Sequence, residues 1–225
     1  MGIGGSEKEM AQVILDFGSG NTCKNDVAYI KRMIDALVAI DTHKHEVVIK
    51  WQLFKEPPAS GGGSLGGKDI PLTHEAFTAA YEYAKEKGYR CTSSVFDKES
   101  LAFLLGFDVP FVKIACRPDL YWLAGEIERK IPVYISADMR PGPDSAERRK
   151  WLMLSTEILS CVPKYPADIR DYSWDTAFSD HVEGLGLWKA YKPDIWEKHF
   201  CLERDPSNPD SGPFAITPEE LREIL

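Results

Sequence analysis

Short runs rich in β-branched and aromatic residues alternate along this chain with longer stretches whose apolar residues recur at helical spacing. Residues 13–17 read as a strand, a Gly/Ser/Asn turn follows, and 26–40 form an amphipathic helix. Strands are then expected at 47–52, 91–96, 111–115 and 133–137, in the second half of 153–161, and at 176–179 and 194–200. The intervening helices fall at 73–87, 98–105, 120–130, 145–151, 167–174 and 184–191, and Thr217, Pro218 and Glu219 open a last short one. Thr73 stands at the start of its helix, and Gly88 is placed to stop it.

Alternating strands and helices imply parallel strands with crossover helices. Eight such units in 225 residues match a compact (β/α)8 TIM barrel, one domain over 1–225, near the lower size limit of that fold. A doubly wound open sheet shares the alternation and is the structural rival. Residues 57–67 hold too much glycine for regular structure and read as a loop, either a lid or a surface insertion.

Composition narrows the class without changing the fold. With 44% hydrophobic and 28% charged residues the chain reads as an ordinary globular protein. It has no apolar stretch of membrane-spanning length and no secretory leader pattern, so a cytoplasmic location is expected. Five cysteines without CxxC spacing are expected to be reduced thiols. A formal charge of −8 argues against nucleic acid or an anionic membrane as partner, so any anion site must be local.

Two lysines inside strands point to such a site. Lys50 and Gln52 share one face of their strand, and Lys113 lies in a run otherwise made of Phe, Val, Ile and Ala. A buried ammonium needs a carboxylate or a phosphate, so the pair either holds a small polyanion or forms internal ion pairs with Asp16 or Glu197. Asp16, Ser94, Ser136, Tyr165, His181, Glu197 and His199 stand near the C-terminal ends of other strands, and in a barrel those ends surround one mouth. His181 and His199 suit either a divalent ion with open positions or two hydrogen-bonded core histidines.

These segments resemble, in order from Val13 to Leu225, the catalytic barrel of the sialic acid synthase family. IKWQ at 49–52 resembles the family's VKFQ, SSVFD at 93–97 its STPFD, KIAC at 113–116 its KIAS, and ISADM at 135–139 its LSTGM. CVPKYP at 161–166 is similar to the cysteine to tyrosine-proline segment, and SDH at 179–181, EKHF at 197–200 and ITPEEL at 216–221 follow.

The resemblance implies condensation of phosphoenolpyruvate with an N-acetylated amino sugar such as N-acetylmannosamine, releasing phosphate and giving a sialic-acid-type nonulosonic acid. It implies substrate roles for Lys50, Gln52, Ser94, Lys113, Ser136 and Tyr165, and a divalent cofactor, Mn2+ or Mg2+, on His181 and His199. Glu197 is the expected proton carrier, with Asp16 second, and Lys113 the cation that stabilises the departing phosphate.

Several positions depart from the family pattern. LDFG at 15–18 replaces AEIG, so Asp16 stands for a glutamate, and a turn histidine is absent, with Asn21 and Asn25 as candidate substitutes. Cys116 replaces a serine, Arg117 offers a new phosphate contact beside it, and Pro163 replaces an asparagine. The antifreeze-like domain usual in the family is not expected within 1–225, which leaves it to a separate chain, or a homodimer to form without it. The alternative reading is a noncatalytic barrel that binds a sugar, an anion or a protein partner at the former site.

Overall fold

In the computed structural model, which describes residues 10–56, 69–140 and 146–225, eight parallel strands close into a barrel in sequential order. They are β1 (Gln12–Asp16), β2 (Glu46–Leu53), β3 (Arg90–Val95), β4 (Val112–Ile114), β5 (Val133–Ala137), β6 (Glu157–Cys161), β7 (Ala177–Asp180) and β8 (Ile195–His199). Each strand is hydrogen-bonded to its sequence neighbours, and β8 returns to β1 with Asp16 opposite both Lys50 and His199. Closure excludes the open doubly wound sheet.

Helices α1 (Gly20–Cys23), α2 (Val27–Val38), α3 (His74–Glu86), α4 (Lys98–Leu104), α5 (Ala146–Leu152), α6 (Gly186–Tyr191) and α7 (Pro218–Leu221) lie between or after the strands. Helix α2 buries Ile30, Met33, Ile34 and Leu37, a stripe at i, i+3, i+4 and i+7, and its N-cap Asp26 accepts the Ala28 N–H at 2.8 Å. The Thr73 hydroxyl caps α3 by accepting the Ala76 N–H at 3.1 Å, and Gly88, at φ +87°, stops it.

Two expected helices differ. Residues Pro118–Glu126 form a 3-10 helix because their side chains are recruited to the barrel wall: Tyr121 is fully buried, and its hydroxyl donates to the Ser136 carbonyl at 2.8 Å. At 167–174 the structure has one 3-10 turn, Ile169–Asp171, since Ala167 bridges Val182 and Tyr172 packs inward against the end of β7. The glycine-rich stretch at 57–67 lies outside the described residues.

Strand alternation builds two separate cores. One parity faces the helices in a large apolar shell that includes Leu15, Ile49, Trp51, Phe178 and Trp196. The other parity faces inward, where Ile14, Val48, Phe111, Leu159 and Ala177 form a second cluster with Tyr134 and Ile195 against it. Phe111 and Tyr134 stack there at 4.0 Å between centroids. Two residues further along the same strands, toward their C-terminal ends, the inward positions turn polar: Asp16, Lys50, Lys113, Ser136, Ser179 and Glu197. The apolar layer is thus a floor, and the charged layer stands directly on it at the mouth.

Candidate functional site

Lys50 and Lys113 reach inward from β2 and β4, each with 1% of its surface exposed. The Lys50 ammonium lies 2.8 Å from Asp16 Oδ2 and 3.3 Å from Glu197 Oε1, and donates to Ser94 Oγ at 2.9 Å. Lys113 Nζ lies 3.1 Å from Glu197 Oε2 and donates to Ser136 Oγ at 2.6 Å. The ion pairs weighed from the sequence are therefore present, and the same ammonium groups line the open cavity. Burial by itself raises a carboxyl pKa, but Lys113 and Lys50 outweigh it and hold Glu197 well below the usual carboxylate range. Asp16 is lowered in the same way, against its burial, by Lys50 and then His199.

Gln52, two residues beyond Lys50, donates from Nε2 to Asp16 Oδ2 at 2.9 Å and to Asp210 Oδ1 at 3.4 Å. Asp210 lies on the segment after β8 and carries no signal in the sequence beyond an Asn-Pro-Asp-Ser run that reads as a turn. It folds back over the mouth, where Oδ2 accepts the Ser19 N–H at 2.8 Å and the Ser19 hydroxyl at 2.7 Å. Burial pushes its carboxyl pKa up. Ser179 is a second residue that sequence reasoning left without a role; it lines the same cavity, and its side chain adds to the forces that hold the Glu197 pKa low.

The turn after β1 is shaped by glycine. A Cβ on Gly20 would collide with the Pro71 carbonyl oxygen and meet that of Ile70 at 2.7 Å. This close approach brings Asn21 to the cavity, held by Asp69 Oδ1 at 3.1 Å and by the Ile70 N–H at 2.8 Å. Asn25 does not reach the site. Its amide binds the Pro71 carbonyl and the Thr73 N–H, a scaffolding role for the next loop.

The histidines enter from β7 and β8 with ring centroids 5.8 Å apart. A carbonyl can only accept, so His181 Nδ1 donates to Val162 O at 2.8 Å, and His199 Nδ1 donates to Asp210 O at 3.2 Å. In the neutral His181 ring the lone pair is left on Nε2, and His199 Nε2 lies 3.7 Å from Asp16 Oδ2. Burial first, and then His199, lowers the His181 pKa to about 3, so its ring is neutral near pH 7. A neutral ring with Nδ1 tied to a carbonyl is the donor form that metal ligation needs. Among the described residues no group of three or more His, Cys, Asp or Glu side chains is arranged to hold a metal. His181 and His199 are the side chains of the site that could hold a divalent ion.

Tyr165 covers the histidines, its ring 4.0 Å from that of His181 and edge-on to His199 at 6.2 Å. Burial pushes its phenol pKa up, so it stays protonated. Near the ends of β4 and β6, the neighbouring Cys161 holds the Cys116 thiol below its usual range, while Cys116 and burial push Cys161 up. All five cysteines are free thiols. Arg117 borders the cavity, but its guanidinium forks onto Asp119 at 2.9 and 2.7 Å. Apart from Asn25, the candidate positions named from the sequence for catalysis, substrate or metal line one cavity of about 180 Å³. Among the described residues no helix is long and apolar enough to cross a membrane.

The chain is 25% identical over 183 residues to the N,N'-diacetyllegionaminic acid synthase of Legionella pneumophila, covering 70% of this chain and 51% of that protein. It is 24% identical over 178 residues to the N-acetylneuraminate-9-phosphate synthase of Drosophila melanogaster, covering 69% and 47%. The chain spans about half the length of the curated relatives it matches. A solved N-acetylneuraminic acid synthetase of Leptospira borgpetersenii, crystallised with citrate, shares the fold at a TM-score of 0.74 and 21% identity, covering 96% of this chain and 81% of that one. The model of the NeuB family matches residues 66–225, the stretch that carries Lys113, both histidines and Glu197, and the chain belongs to the NeuB family of sialic acid synthase-like proteins.

Proposed function

We propose that the protein joins phosphoenolpyruvate to an N-acetylated amino sugar of the N-acetylmannosamine kind, releasing phosphate and forming a nonulosonic acid. The observation that carries this reading is the convergence of two desolvated lysines on one carboxylate at the open end of the barrel, each with a serine hydroxyl beside it. Phosphate and carboxylate groups of the donor compete with Asp16 and Glu197 for these ammonium groups, so donor binding exchanges internal ion pairs for ligand contacts.

The rest follows from the same residues. His181 and His199 are the residues that hold a divalent ion, Mn2+ or Mg2+; when bound, it supplies Lewis-acid polarisation of the open-chain sugar aldehyde. Carbon 3 of phosphoenolpyruvate bonds to the aldehyde carbon, whose oxygen becomes a hydroxyl by taking up a proton that the attacking water replaces, and carbon 2 is left with oxocarbenium character. Glu197 is ionised while the lysines face it, and is placed to stabilise that cation. Once the lysines engage the donor, its affinity for a proton rises and it accepts one from the water that adds to carbon 2. The hydrated carbon 2 then breaks its bond to the phosphate-bridging oxygen as its hydroxyl becomes the carbonyl of the 2-keto acid, and Lys50 and Lys113 hold the departing phosphate. Gln52, Asp16 and Asp210 offer an amide and two carboxylates to sugar hydroxyls.

A second reading, a noncatalytic barrel, is favoured by one feature: both lysines are already neutralised inside the protein. Incubation of Mn2+-loaded protein with phosphoenolpyruvate and a panel of N-acetylated hexosamines separates the two. Phosphate release that requires the sugar supports the synthase. Calorimetric silence toward phosphoenolpyruvate with Mn2+ present supports the noncatalytic barrel.

A further inference from the structure

We infer that Asp180 and Lys198, an ion pair sealed in the outer wall of the barrel, are positioning residues that set the placement of His181 against His199. The inference rests on the reading of these two histidines as metal ligands. Asp180 and Lys198 are direct partners across β7 and β8, and each immediately precedes one histidine. Strand alternation turns positions 180 and 198 toward the helices and the histidines toward the mouth.

Neither side chain of the pair has any solvent exposure, and their charges meet at 3.1 Å. Asp180 Oδ2 also accepts the Trp196 indole N–H at 2.9 Å, while Oδ1 accepts the Val182 N–H at 2.7 Å. Lys198 Nζ donates to the Val182 carbonyl. Both backbone groups of Val182 are therefore taken by the pair, and His181 is bracketed between Asp180 and a residue that Asp180 and Lys198 fix. Trp196, held by the same carboxylate, lies on β8 three residues before His199, so one fork ties the ends of both strands together.

A buried ion pair is a poor device for stability, since well-packed apolar residues of similar volume replace such pairs at little cost. It is a good device for fixing geometry, because the fork has one arrangement that satisfies every donor. The His181 side is held further by the Tyr172 hydroxyl, which accepts the His181 N–H at 3.1 Å and donates to the Ser179 carbonyl at 2.9 Å.

The test is Mn2+ binding by the full chain, read from the electron paramagnetic resonance signal of free Mn2+, alongside denaturation midpoints. Wild type is compared with Asp180→Asn/Lys198→Met, which removes both charges at similar volume, with Trp196→Phe, and with His181→Ala/His199→Ala. The expected result is a double-neutral variant that folds with a near wild-type midpoint yet binds Mn2+ about 10-fold or more weakly. Trp196→Phe shifts affinity in the same direction and decides the matter alone if the double variant does not fold. Wild-type Mn2+ affinity in the folded variants would overturn the positioning role while leaving the histidines as ligands. Equal binding by wild type and the double-alanine variant, or none by wild type, would remove the two-histidine reading and this inference with it.

Discussion

Lys113 and Glu197 meet at 3.1 Å across the barrel interior although their strands, β4 and β8, share no hydrogen bond. The contact belongs to the closed barrel and to no local segment. Glu197 thereby holds two ammonium groups at once, Lys113 and Lys50, on a floor of apolar side chains.

Glu197→Gln keeps the shape and removes the charge. It leaves Lys50 with Asp16 and Lys113 with hydroxyl and carbonyl partners alone, so stability should fall by about 3 kcal/mol. Inorganic phosphate should restore more stability to the variant than to wild type, because the freed ammonium groups accept an anion. A denaturation midpoint equal to wild type would show that the lysines do not depend on this carboxylate.

Acid should destabilise the protein in two stages. His181 binds a proton in the unfolded chain below about pH 6.5 but not in the folded one until about pH 3, so stability is lost as pH falls through that interval, by about 1.4 kcal/mol per unit. Glu197 is the opposite chemical type with the same outcome. Its folded pKa is depressed, so its contribution is present above the unfolded value near 4.5 and is lost on further acidification. Urea titrations from pH 7 to 4 should show the first stage in wild type and lose it in His181→Asn.

Lys113→Met tests the donor site directly. Glu197 keeps Lys50 in this variant, so the fold should survive, whereas phosphoenolpyruvate affinity should drop roughly 100-fold for loss of one buried charged contact. Isothermal calorimetry with folded protein reads the change, and undiminished affinity would exclude Lys113 from the donor site.

Gly20→Ala should cost more than about 1 kcal/mol, since its Cβ would press on two backbone carbonyls that cannot rotate away. Sugar-dependent turnover should suffer beyond the stability loss, because Asn21 rides on the same turn. An alanine variant with wild-type melting would contradict the packing at Ile70 and Pro71.

Much of the site was legible before the fold. Alternation placed Lys50 with Gln52 and Glu197 with His199 on common faces, and strand ends in a barrel share one mouth, so the candidate positions converge as read. Position alone did not reveal partners. Asn25 reads like Asn21 in the sequence, but a left-handed backbone at φ +57° turns it toward the α3 loop. Asp210 was not legible, because the loop that returns it has no period, and its partners Ser19 and Gln52 are far away in the chain. The 3-10 segment at Pro118–Glu126 departed from expectation because Tyr121 and its neighbours are claimed by the barrel wall, a tertiary demand that local propensity does not record.

Hydrophobic period and strand-end chemistry, both properties of neighbouring residues, determined the eight-fold alternation, the inward faces and the list of polar groups at their ends. Only the closed barrel decided which charges touch. Closure brings β8 against β1, sets Lys113 opposite Glu197, and removes water from all four ion-pair partners, and the energies of charges depend on distance and solvent exposure rather than on sequence spacing.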